Sequence, residues 1–298
     1  MDGPQTYTLA AALTRQLCGV AVERLTVPSG RWQANVLLLH CAGQVIQRIS
    51  SHGKWLIFDF SHGVSWACCL LAKSRWQISQ TDPKADVSTA SPEPKRVAGR
   101  EPLLVVYLRN GRTATLRGRP LFLTLPTATL WHHRDLRDLG PDPLVMPELT
   151  HRPGAAFVEG SGPFGEVFLP RVRAAATRTL ASALLDQSIV AGVGNPLKCE
   201  ILFTLGLAPA TRVGALYATL LGHVAATLEM LLRQSARELL ELARSGSGTT
   251  STFRVYDRAG EPCEVCGHAI EVDRSGADGR WSWHCPHCQR QPTTATLF

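Results

Sequence analysis

No stretch of this chain is apolar for long enough to cross a bilayer, which argues against a membrane-spanning class. The opening residues, MDGPQTYTLAAALTRQL, lack a basic region followed by a long apolar stretch and a cleavage site, so secretion is not expected. The expected location is the cytoplasm (nucleoid) or the nucleus. No internal repeat is found. Charged residues are sparse at 18% against 45% hydrophobic, a balance that excludes a disordered chain. Five of the nine cysteines, Cys18, Cys41, Cys68, Cys69 and Cys199, show no pairing pattern. In an intracellular setting they read as buried free thiols.

What is present points to a polyanion. The 298 residues suit about two domains. The formal net charge is +7 and the pI about 9.1, a balance that favours nucleic acid as a partner.

The other four cysteines form one motif. Residues 263–288 read CEVCGHAIEVDRSGADGRWSWHCPHC, two C-x2-C pairs separated by 18 residues. Each pair lets two sulfurs reach one metal from a tight turn, and the spacing fits a tetrahedral four-thiolate zinc site. Cys263, Cys266, Cys285 and Cys288 are therefore the expected ligands of one structural zinc. Four thiolates close the shell, so His284 and His287 are not needed. A short hairpin is expected between the pairs, with Ile270 and Val272 on one arm and Trp281 and Trp283 on the other.

Upstream, residues 20–125 read mainly as strands: VAVERLTV, ANVLLLHC, KWLIFDF, VSWACCLL, LLVVYLRNG and ATLRGRPLFLTL, with a hairpin turning at Asn110-Gly111. Residues 6–17 carry helical spacing through Leu9, Leu13 and Leu17. Residues 79–100, rich in Pro and Ser, predict a surface loop. Residues 127–153 read as a linker; 171–187, 196–205 and 212–244 as helices; 245–252 as a spacer. The fold class expected is α+β multidomain. Its parts are a β-rich N-terminal domain over 1–126, a hinge over 127–150, a helical domain over 151–250 and a zinc ribbon over 251–298.

Within the helical part, LLDQSIVAGVGNPLKCEILFTLGL spans 184–207. One helix is expected to end near Asp186, and another to start with Asn195 as cap, Pro196 at the first position and Gly206 as its stop. The amides of AGVGN and of the helix start could hold an anion, and Lys198 in the first turn opposes the helix dipole but suits a phosphate. An ordinary helical hairpin fits these residues equally well.

Taken together, these residues resemble the formamidopyrimidine-DNA glycosylase and endonuclease VIII family. GVGNPLKCEILFTLGLAP resembles its helix–two-turn–helix signature and VYDRAGEPCEVCGHAI…GRWSWHCPHCQ its zinc finger. LGPDPL at 139–144 resembles the start of its C-terminal domain, and MDGP and GKWLIFDF its active-site segments. The resemblance implies an N-terminal helix and two-layer β-sandwich, hinged to the helical and zinc part, with DNA in the cleft. It implies that Asn195 binds backbone phosphate at the lesion, that Arg280 binds the neighbouring phosphate, and that Lys54 also contacts phosphate. Lys198 and Arg119 are further candidate DNA contacts. Damaged or abasic DNA is the partner implied; a monomer is expected.

Family members attack the sugar C1′ with the α-amine of a new N-terminal residue, usually proline, followed by a glutamate that handles protons. An α-amine titrates near 7.7–8.0 against about 10.4 for lysine, so more of it is neutral at pH 7. Here Met1-Asp2-Gly3-Pro4 stands in that place, one residue short. If Met1 stays, its α-amine takes the nucleophile's place and Asp2 the glutamate's. If it is removed, Asp2 becomes the nucleophile and the acid is missing. A large charged second residue normally blocks removal of Met, which favours the first register. Met1, Asp2 and Lys54 are thus the candidate catalytic residues. The residues that fill the space of a flipped base also depart: Cys69-Leu70-Leu71-Ala72 replaces His-Leu-x-Met, with Arg119 and Phe122 as candidate wedges. By analogy with a weak-wedged vertebrate member, single-stranded, forked or abasic DNA is the expected preference. The competing readings are a non-catalytic DNA-damage-binding member of the same fold and an unrelated zinc-ribbon protein, against which the two-turn segment argues.

Overall fold

The structure is a computed structural model that describes residues 1–28, 36–71, 74–80, 102–145, 162–245, 253–274 and 279–292. The expected surface loop, from residue 81 on, the end of the expected linker and the 246–252 spacer lie outside the described residues. Two compact units are present: Met1 with Leu9–Arg137, and Asp2–Thr8 with Asp138–Phe298. Among the described residues no helix is long and apolar enough to cross a membrane.

The first unit is a helix on two sheets. The part of α1 (Gly3–Leu17) from Leu9 on belongs to this unit and turns Ala10, Leu13 and Leu17 inward, intervals of three and four residues that put them on one face. Its strands are β1 (Val22–Thr26), β2 (Ile46–His52), β3 (Trp55–Phe60), β4 (Val64–Cys69), β5 (Arg75–Gln80), β6 (Leu104–Leu108), β7 (Arg112–Arg117) and β8 (Leu121–Pro126). They pair antiparallel in two sheets, β1-β6-β7-β5 and β2-β3-β4-β8. Both sheets feed one core: Phe58 of β3 meets Trp76 of β5 at 5.3 Å between ring centroids, and Phe60 meets Trp66 at 4.4 Å. This is the two-layer sandwich expected. The turn at Asn110-Gly111 joins β6 to β7, with Gly111 at φ 73°, a left-handed conformation that favours glycine.

Two expectations fail here. The described part of ANVLLLHC forms no strand; it is a single helical turn, α2 (Val36–Leu39), with Leu38 buried and Leu39 exposed. A short apolar run cannot be told from a buried turn by periodicity. Meanwhile β2 and β5 form from polar segments with weak alternation, and cross-strand pairing rather than pattern decides them. After β8 the chain forms a 3₁₀ turn (Thr127–His132) and a short helix, α3 (Arg134–Arg137), where a plain linker is expected.

The second unit is helical with a small ribbon. The expected helix over 171–187 is in fact two. α4 (Gly162–Ala174) ends, and α5 (Leu180–Leu185) starts afresh because Thr179 caps it, its hydroxyl accepting the Ser182 N–H at 3.2 Å. α6 (Asn195–Thr204) and α7 (Ala218–Ser245) follow, then the ribbon hairpin β9 (Glu271–Asp273) and β10 (Ser282–His284). α6 is apolar on two sides, and both are used. Leu197, Ile201 and Leu202 join the helical core, while Cys199 and Phe203 pack with Val255, Ile270, Cys263 and Cys285 of the ribbon. In the hairpin Ile270 is buried but Val272 and Trp281 are exposed, since three-residue strands cover only their base.

Candidate nucleic-acid interface and metal centre

At one end of the first unit three strands finish together, with Trp55 paired to Cys69 and Cys69 to Leu121. Lys54 is half-buried on the two-residue turn that joins β2 to β3, next to Trp55. Burial pushes the Cys69 thiol up, and the positive charges of Lys54 and of the Met1 α-ammonium oppose that rise. Both cations therefore lie within electrostatic reach of one sulfur. Leu121 and Leu71 are exposed at this end. Nothing in the apolar pattern of 121–126 distinguishes Leu121 from its half-buried neighbours Phe122, Leu123 and Leu125; only its place beyond the core does. Arg119 is also exposed, its N–H donating to Ser74 Oγ at 3.0 Å. Phe122 is not a projecting wedge: its half-buried ring packs 5.7 Å from Trp66, inside the aromatic cluster. Ala72 lies outside the described residues.

In the second unit the Gly-rich turn receives the chain's own start. Gly3 N–H donates to Gly192 O at 2.7 Å. Gly192 sits at φ 96°, which favours glycine. Gly194 has an extended backbone, and its requirement is space: a Cβ there would overlap the Asp2 carboxylate. Asp2 is thus packed on the residue that caps α6, next to amides with positive partial charge. Gln187 braces the turn, accepting from Gly192 N–H at 3.1 Å and donating to Val193 O at 3.0 Å. A glutamine in the turn just past a helix carries no sequence signal for this role. Gly140 of LGPDPL is equally pressed, since a Cβ would lie 2.6 Å from the Ile189 carbonyl carbon.

The cap of α6 is Gly194, and Asn195 is the first helical residue, so the helix starts one position earlier than expected. Asn195 Nδ2 donates to Trp281 O at 3.0 Å, and its buried Oδ1 meets no hydrogen-bond partner among the described residues. Lys198 is not an open phosphate ligand in this structure. It is 1% exposed, and its ammonium donates to Trp281 O at 3.1 Å and Ser282 Oγ at 2.7 Å. Two side chains of α6 so converge on one carbonyl of the ribbon hairpin, beside the exposed Arg280. Glu200, one turn on, accepts from the N–H groups of Arg254, Val255 and Tyr256 at 3.0–3.1 Å and fixes the entry to the ribbon. Gly206, at φ 66°, stops the helix as expected.

The ribbon brings all four cysteines together. Their sulfurs lie within 4.8 Å of one another, with Cys266 to Cys285 at 3.4 Å and Cys263 to Cys288 at 3.9 Å. A tetrahedral zinc with bonds of about 2.3 Å needs sulfurs about 3.8 Å apart, so the set fits that metal. Burial would raise the Cys263 thiol, but backbone N–H groups at Val265 and Cys266, together with the neighbouring thiols, bring it down to about 7. A second group of potential ligands, Cys266, His268 and His287, lies beside the first.

No family model matches the chain. It is 31% identical to the formamidopyrimidine-DNA glycosylase of Cereibacter sphaeroides over 96% of its own length and 99% of that protein's. The chain belongs to the formamidopyrimidine-DNA glycosylase family. The family's enzyme from Ruegeria pomeroyi is 29% identical over the same shares. Among solved structures, the Lactococcus lactis protein in complex with a THF-DNA and an inhibitor superposes with a TM-score of 0.77 at 18% identity, covering 98% of this chain and 100% of that one. The same protein with DNA containing an abasic site gives 0.75 at 19% identity, with the same coverage. These likenesses establish the fold.

Proposed function

We propose that this chain is a base-excision repair enzyme that removes damaged bases from DNA and cleaves at the abasic site through the α-amine of Met1. The observation that supports the reading is that the Met1 α-ammonium and Lys54 both act electrostatically on the Cys69 thiol, as expected if nucleophile and phosphate-binding cation share one end of the sandwich. The neutral amine attacks C1′, forming a C–N bond; the bond from C1′ to the base breaks, and the base leaves with a proton. The attached amine loses a proton, the C1′–O4′ bond breaks with a proton passing to O4′, and the opened sugar is left as a Schiff base, whose C2′ proton can then be abstracted to expel the 3′ phosphate. Asp2 takes the role of proton carrier, one methylene shorter than the family's glutamate. Arg280 and Asn195 would hold backbone phosphate, Lys198 would fix the hairpin that carries Arg280, and Arg119 with exposed Leu71 and Leu121 would fill the space of a flipped base. Small apolar wedges support a preference for single-stranded, forked or abasic DNA. Zinc in the four-cysteine site would hold the ribbon shut and take no part in the chemistry.

Borohydride trapping on abasic single-stranded DNA, with mass analysis of the N-terminal peptide, tests this. A covalent adduct on a peptide that retains Met1 is expected. No adduct, with tight binding kept, would instead support a non-catalytic damage-binding protein.

A further inference from the structure

On the ribbon surface two histidines stack, His268 and His287, with ring centroids 4.3 Å apart and planes 7° from parallel. Both are exposed, and a ligand atom of each lies within 4.8 Å of the other and of Cys266 Sγ. His268 Nδ1 is 3.3 Å from Cys266 O, a contact that favours a proton on Nδ1 and leaves Nε2 to bind an ion. We propose that Cys266, His268 and His287 form an accessory site for a second divalent transition metal, with the Cys266 sulfur shared between it and the four-cysteine ion.

The chemistry of the donors selects the ion class. Two imidazoles and a thiolate suit zinc, cobalt or copper and not calcium or magnesium. Four thiolates around one divalent ion leave an excess of negative charge, so the Cys266 sulfur keeps basic lone pairs that attract another cation. Stacked rings cannot both aim in-plane at one point. Turning one exposed ring about its Cβ–Cγ bond, a broad and soft torsion, corrects this. Water completes the shell, since the histidines face solvent. An ion caught here would sit one sulfur away from the structural centre, in position to enter or leave it.

The proposal rests on the four-cysteine reading through Cys266 alone, and ion counting separates the two. Native mass spectrometry of the full chain, zinc-loaded and then exposed to excess Zn²⁺, is expected to show two ions on the wild type and one on His268→Ala/His287→Ala. Each single variant should weaken the second ion by more than about tenfold, since a lost ligand outweighs the loss of an outer partner. One ion on both proteins, or two on both, would overturn the accessory site while leaving the first intact. No ion on the wild type would overturn both readings. With Co²⁺ in both places a shared sulfur couples the two spins, so the second equivalent should reduce the electron paramagnetic signal; a doubled signal would refute the bridge.

Discussion

Replacing Lys198 separates a buried tether from a phosphate ligand. Lys198→Met keeps the stem and removes two hydrogen bonds to the ribbon, those to Trp281 O and Ser282 Oγ. Hydrogen bonds from a charged donor contribute about 1.5–3 kcal/mol each. The ammonium's own desolvation, several kcal/mol, disappears with it and offsets much of that loss. The methionine variant should therefore stay within about 2 kcal/mol of wild type. Lys198→Ala also removes three methylenes from a buried position, at about 0.8 kcal/mol each, so it should be less stable than Lys198→Met by about 2 kcal/mol. The assay is urea unfolding of the zinc-loaded chain, read by release of metal to a coloured chelator, which reports the ribbon. DNA binding is measured in parallel across salt. A tether predicts different stabilities and an unchanged salt slope. If both variants unfold like wild type and both lose about 0.9 from the slope on duplex DNA, Lys198 binds phosphate and the reasoning is wrong.

Arg280→Ala should lower that same slope by about one phosphate with unfolding unchanged, because Arg280 is exposed. Gly194→Ala should abolish trapping on abasic DNA, since its methyl overlaps the Asp2 carboxylate; a variant that traps normally would show Asp2 is not held there. Burial would raise the carboxyl of Asp186, but hydrogen bonds from Arg178 and Ser188 outweigh it and hold it below its ordinary value of about 3.9. Its stabilising effect is thus complete above the ordinary value and lost as pH falls through the lower folded value. Asp186→Asn should flatten thermal stability against pH in that acid window, modestly because the pair is partly exposed; an unchanged profile would count against it. Removing metal with a chelator should unfold the ribbon and weaken DNA binding, more readily as pH falls, because protons compete with the metal for the thiolates; this can be followed by tryptophan fluorescence and DNA titration.

The chain itself determines the parts that depend on short-range spacing. Two C-x2-C pairs bring four sulfurs to one point because each pair closes a local turn, and Asn-Gly makes its hairpin for the same reason. The Gly-rich turn before α6 is legible too, as is the stop at Gly206. Tertiary structure decides whatever depends on partners distant in sequence. Lys198 reads as a first-turn cation with two plausible roles, and only the fold of the ribbon back onto α6 buries it against Trp281 and Ser282. Phe122 and Leu121 are adjacent apolar residues, yet the core takes one ring and leaves the other side chain exposed. Gly194 looks like turn flexibility, but its backbone is ordinary and its need for a bare Cα comes from Asp2, far away in the chain. Helical and strand periods record which face is apolar; which side chain meets which is fixed by packing between segments remote in sequence.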